Sequence, residues 1–76
     1  MKELVEYLAK SLVDDPESVK VEQIEEDQEF VNLTLEVNPD DKGKVIGRQG
    51  RVAKSMRTLL RVTAVKENVR VNLEIL

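Results

Sequence analysis

A chain of 76 residues has room for one small domain with one modest core. It contains neither cysteine nor histidine, which excludes a disulfide framework, a thiolate metal site, and the commonest general base and metal ligand. A net charge of −3 argues against a uniformly basic nucleic-acid binder and leaves open one whose charge is divided along the chain.

Lys2 to Val13 reads as a helix. Leu4, Leu8 and Leu12 recur at i, i+4, i+8 beside Val5 and Ala9, while Glu3, Glu6 and Lys10 point away. Those charges also interrupt any signal-peptide core, and no apolar run approaches the ~18 residues of a membrane span. A cytoplasmic protein without membrane insertion is expected. Tyr7 is assigned a packing or rim role. Asp14-Asp15-Pro16 stops the helix, because the residue before proline is pushed out of the α region.

Val19, Val21 and Gln23 alternate with Lys20 and Glu22 as a first strand, with a bulge or bend expected where Ile24 breaks the pattern. Glu25-Glu26-Asp27-Gln28 reads as a polar turn. The acids Glu22, Glu25, Glu26, Asp27 and Glu29 lack the spacing and glycine of a calcium loop, so they read as a solvated hairpin tip. Phe30 to Val37 is the clearest strand, with Val31, Leu33, Leu35 and Val37 on one face and Asn32, Thr34 and Glu36 on the other.

Asn38-Pro39-Asp40-Asp41 has the form of a helix start: a capping residue, a proline at the first position, and two acids at the positive end. The helix is expected to be short, because Gly43 weakens it and Gly47 ends it. Arg51 to about Lys66 is the longest helix. Val52, Ala53, Met56, Leu59 and Leu60 gather on one side, and Arg51, Lys54, Arg57 and Arg61 on the other with Ser55 and Thr58. Asn68 closes this helix or the following turn, and Val69, Val71, Leu73 and Ile75 mark a last strand.

The order α-β-β-α-α-β predicts one α+β domain, a three-stranded sheet with helices on one face. Its expected core is Leu4, Val31, Leu33, Leu35, Val37, Val52, Met56, Leu59, Val71 and Leu73.

Charge is divided at Asp41. Met1 to Asp41 carries three lysines and thirteen acids, a balance of −10; Lys42 to Arg70 carries nine cations and one acid, a balance of +8. At the centre of the basic half, Gly47 and Gly50 bracket Arg48 and Gln49. Glycines let the backbone turn sharply and approach another chain closely, and the following helix would aim its free amides and positive dipole end into the gap. With Lys44, Arg48 and Arg51 beside it, this is the chemistry of an anion cradle.

The stretch Gly43-Lys44-Val45-Ile46-Gly47-Arg48-Gln49-Gly50, followed by Arg51-Val52-Ala53-Lys54-Ser55-Met56-Arg57, resembles the signature of KH domains, a G-x-x-G loop between two helices. The helix and strand that precede the core look like the type II arrangement. The resemblance covers residues 1–76, with the helix and strand of 1–28 ahead of a 29–76 core, and is specific over Lys42 to Arg61. As a lone short domain the chain looks like the small bacterial single-KH proteins. That likeness implies a single-stranded RNA binder (single-stranded DNA being the alternative polymer) acting as an RNA chaperone or post-transcriptional regulator. It also implies a homodimer, or a heterodimer with a larger Jag-type KH protein, and a link to cell-wall synthesis and cell shape.

A KH loop clamps about four nucleotides by the backbone. The resemblance therefore implies RNA contacts at Lys44, Val45, Ile46, Gly47, Arg48, Gln49, Gly50, Arg51, Lys54 and Arg57. It also implies a base groove between the helices and the sheet edge, floored by Val45, Ile46, Val52 and strand residues such as Leu35. No cofactor is implied. The competing readings are a protein-interaction module that dimerises through Val62, Ala64 and Val65, and a DNA-reading helix-turn-helix, which the flanking strands disfavour. An enzyme is disfavoured because no nucleophile or histidine accompanies the carboxylates.

Overall fold

The computed structural model describes residues 1–27 and 29–76, and of Glu26 the backbone only. Helix α1 (Lys2–Leu12) leads through a 3₁₀ turn at Pro16–Ser18 into an antiparallel hairpin, β1 (Lys20–Asp27) and β2 (Phe30–Glu36). A second 3₁₀ turn, Pro39–Asp41, opens α2 (Lys42–Ile46). A third, Arg48–Gly50, joins it to α3 (Arg51–Lys66), and β3 (Arg70–Ile75) closes the fold. The α+β order α-β-β-α-α-β is the one the sequence predicts, and so is the three-stranded sheet.

The sheet order is β1-β2-β3, with β3 parallel to β2. The central place of β2 follows from its pattern: Val31, Leu33 and Leu35 are buried, while the alternate Phe30, Asn32 and Thr34 are half-buried on the uncovered face. Helix α1 packs on β1 and α3 on β3, covering one face only. Leu33, Leu35, Leu60, Val5 and Val45 are fully buried, each contributing ~1.5–3 kcal/mol relative to exposure. Leu4, Val52 and Val71 pack at the core margin.

Four expectations are corrected. Leu59 is 47% exposed. It lies about 100° around the helix from Leu60, outside the stripe Ala53, Met56, Leu60 and Ala64 that α3 buries. Leu12 is also exposed, because a line at i, i+4, i+8 drifts around the helix and the burial of α1 centres on Val5 and Ala9. Ala64, placed in the apolar patch by the sequence reading, is buried. Finally, β1 runs on to Asp27, with its irregularity between Glu25 and Asp27. Ile24 pairs opposite Asn32 on the uncovered face, 53% exposed, so it breaks the apolar pattern without breaking the strand. The end of the polar turn at Gln28, and the boundary drawn there, lie outside the described residues.

Candidate nucleic-acid interface

The approach to the loop is built locally. Asn38 Oδ1 accepts from the Asp40 amide at 3.0 Å, and Pro39 takes the first helical position. The five-residue α2 then ends at Gly47, whose amide donates to the Gly43 carbonyl at 2.8 Å. The chain then makes one tight turn, closed by Gly50 N–H donating to the Gly47 carbonyl at 3.2 Å. Three of its residues have positive φ: Gly47 at 78°, Gln49 at 57° and Gly50 at 73°. Arg48 and Gln49 are exposed at its tip.

The two glycines do different work. A Cβ on Gly47 would lie 2.5 Å from Val52 Cγ2. Its bare face is therefore filled by the first turn of α3, and it serves the packing of α2 on α3. A Cβ on Gly50 would meet nothing within 4 Å. Gly50 is the glycine whose bare backbone faces outward, where another chain can approach. It is also the N-cap of α3, with no side chain accepting from the helix amides. Of the first-turn donors, the Arg51 amide is taken by the Arg48 carbonyl, and no side chain caps the others.

The basic residues divide in the same way. Arg48, Arg51, Lys54 and Arg61 are exposed, and among the described residues they make no ion pair. Lys44 differs: its Nζ is bound by Asp14 and lies 3.7 Å from Asp41. Its hydrogen bond with Asp14 holds its pKa above the usual lysine value, and the charges of Asp14 and Asp41 add to this. Asp41 itself is 3% exposed and accepts from the Asp15 amide at 3.0 Å. Asp15 in turn accepts from Ser18 and Asn38, which lower its pKa in that order. Lys44 thus bolts α2 to the loop after α1, and its charge is largely answered within the chain.

Arg57 is half-buried, and its Nε and Nη2 both donate to the Leu73 carbonyl at 3.3 Å. Val45 has no exposed surface, nor has Leu35; both belong to the core and offer nothing to a groove floor. Ile46 and Val52 are half-buried at its margin. The sheet edge beside the helices is β3, since β2 is paired on both sides. A shallow cleft of ≈ 50 Å³ runs there, lined by Arg57, Leu60, Arg61, Val71, Asn72 and Leu73. Arg61, Val71 and Asn72 were not among the contacts expected from sequence. Their signal was present in the i, i+4 spacing of Arg57 and Arg61, but placing them needed the strand order.

Acidic β1 lies at the far edge of the sheet, two strand spacings or about 10 Å from β3. The acidic strand and the exposed cations of α3 are therefore separated in space, while Lys44 on α2 is drawn to acids of the first half, and an exposed basic arc runs from the loop along α3.

A family model described as the KH domain of KhpA/KhpB matches residues 2–75. Curated relatives match along most or all of their lengths. An RNA-binding protein KhpA of Clostridium perfringens is 53% identical over 76 residues, all of both chains. The protein of that name from Borreliella burgdorferi is 50% identical over 97% of this chain and 89% of its own. That from Aquifex aeolicus is 46% identical over 100% and 95%.

Proposed function

The chain belongs to the KhpA/KhpB KH-domain family, and on that footing we propose that it binds single-stranded RNA through the Gly47–Gly50 loop. The observation that carries the reading is the loop itself. Arg48 and Gln49 stand exposed between two left-handed glycines, at an uncapped helix start flanked by Arg51 and Lys54. Phosphates would meet these side chains and the first amides of α3, and the bases would continue toward the β3 edge. Gly50, Arg51 and Lys54 belong to this surface. Gly47 and Lys44 support it from behind, and Arg57 faces the base end.

The protein acts by binding, as an RNA chaperone or post-transcriptional regulator in the cytoplasm, and not as an enzyme. Pairing with a second copy or a larger Jag-type KH protein, and a part in cell-wall synthesis and cell shape, belong to the same proposal. Leu59, Val62 and Val65, exposed on α3, support the pairing.

The test is Arg48→Asp with Gln49→Asp, titrated with fluorescent oligoribonucleotides by anisotropy. Contact with ~3–4 phosphates on a single strand gives the parent a log–log salt slope of about −2 to −3. The variant is expected to lose affinity for every sequence alike, because phosphate contacts carry no sequence information, with its circular dichroism unchanged. A folded variant that binds as the parent does would overturn the loop's role and favour a pure interaction module.

A further inference from the structure

The β3 edge carries its own chemistry. Arg70 N–H donates to the Glu29 carbonyl at 2.7 Å and Leu76 N–H to the Leu35 carbonyl at 3.0 Å, both toward β2. In a parallel ladder alternate residues direct both polar groups to the same neighbour. Val71, Leu73 and Ile75 therefore turn theirs to the open edge, where Val71 and Leu73 line the cleft. An unmodified edge of this kind offers carbonyl and amide in alternation, an acceptor beside a donor. Adenine fits such a pair, with an amino group beside a ring acceptor.

Arg57 changes that alternation at one point. Two of its five N–H groups are spent on the Leu73 carbonyl. The acceptor is covered there by a guanidinium that keeps its remaining N–H groups. The next outward group along the edge after the Leu73 carbonyl is the Ile75 amide, also a donor, so no acceptor is left at this point. Arg61, one turn further along α3, adds another guanidinium to the cleft wall. Arg57 lies seven residues from Gly50, about 10 Å along the helix, within reach of a strand whose backbone is held at the loop.

We infer that Arg57 sets the base preference of this domain, by converting the β3 edge at Leu73 into a donor-only slot that takes guanine and rejects adenine. Guanine presents O6 and N7 as adjacent acceptors, whereas adenine places an amino group where O6 would be. This rests on the RNA-binding reading above and goes beyond it by naming the base and the side chain.

The experiment compares oligouridine octamers carrying one central guanosine or one central adenosine, titrated against the parent protein and Arg57→Met. The parent is expected to favour the guanosine oligomer about tenfold. Arg57→Met frees the Leu73 carbonyl to accept an amino group, so the preference should disappear or reverse toward adenosine. The readout is the ratio of two affinities on one protein, which a uniform loss of phosphate contact does not move. Equal binding of both oligomers by the parent overturns the inference while leaving RNA binding intact. An unchanged ratio in a folded Arg57→Met overturns it as well. If the parent binds neither oligomer, the RNA-binding reading falls and this one with it. Should Arg57→Met fail to fold, the parent's own ratio still decides.

Discussion

The two ends of α3 both pass through left-handed backbone, and they are finished in opposite ways. At the C-terminal end Asn68, at φ 57°, takes the left-handed position. Its amide donates to the Val65 carbonyl at 3.2 Å and that of Val69 to Ala64 at 3.0 Å, the reciprocal pair of a Schellman motif. At the N-terminal end Gly50 caps without a side-chain acceptor, and the Arg51 amide turns back to the Arg48 carbonyl of the loop. The end that only has to stop is folded over by the chain that follows it. The end proposed to meet RNA has no side chain over it.

Gly47→Ala tests the comparison hardest. Gly47 combines positive φ with an extended ψ of 173°, a region nearly reserved for glycine that costs ~1–3 kcal/mol for a residue with a Cβ, and driving a methyl into Val52 adds ~1–3 kcal/mol. A loss of about 2–6 kcal/mol is expected in urea unfolding. Adding Val52→Ala should return the part due to Val52 Cγ2 and leave both the backbone part and the contacts with Val52 Cβ and N, each at 2.9 Å. Additive losses in that double mutant would show that the 2.5 Å approach to Val52 is not what demands glycine here.

Gly50→Ala carries a backbone cost alone, that of the left-handed α region, because its Cβ meets no atom. A cost of ~1–2 kcal/mol is expected, together with weaker RNA binding from a methyl on the approach face. Normal affinity would move the docking surface away from Gly50. The smallest effect is expected at the closed end. Asn68→Gly removes the residual left-handed strain and should shift stability by no more than about 1 kcal/mol, with RNA affinity unchanged. A change in affinity there would mean that the two ends are not separate in function.

Much of this was legible from local pattern. The alternation of Val31, Leu33 and Leu35 marks the central strand, Asn38-Pro39 a helix start, Gly47 a helix stop, and Asn68 a closure, each through chemistry within a few residues. What escaped depends on which distant segments meet. Asp14, thirty residues from Lys44, answers a cation that sequence offers to RNA. Val45 and Ile46 are equally apolar, and only the seating of α2 against α3 decides that Val45 is the one fully buried. The bond from Arg57 to Leu73 requires knowing that β3 is an edge strand, which follows from its pairing with β2 and not from its own residues.

That parallel pairing has a consequence for the timing of assembly. Phe30 sits beside Arg70 in the register, so the pairing closes a loop of some forty residues that contains α2, the glycine turn and α3. Closure of that length costs on the order of 3 kcal/mol in chain entropy, met only when the last strand docks and α3 gains its sheet edge. A chain emerging from the ribosome thus cannot seat α3 on its sheet edge until β3 is free to pair with β2. The arc proposed to meet RNA takes its final shape with that pairing.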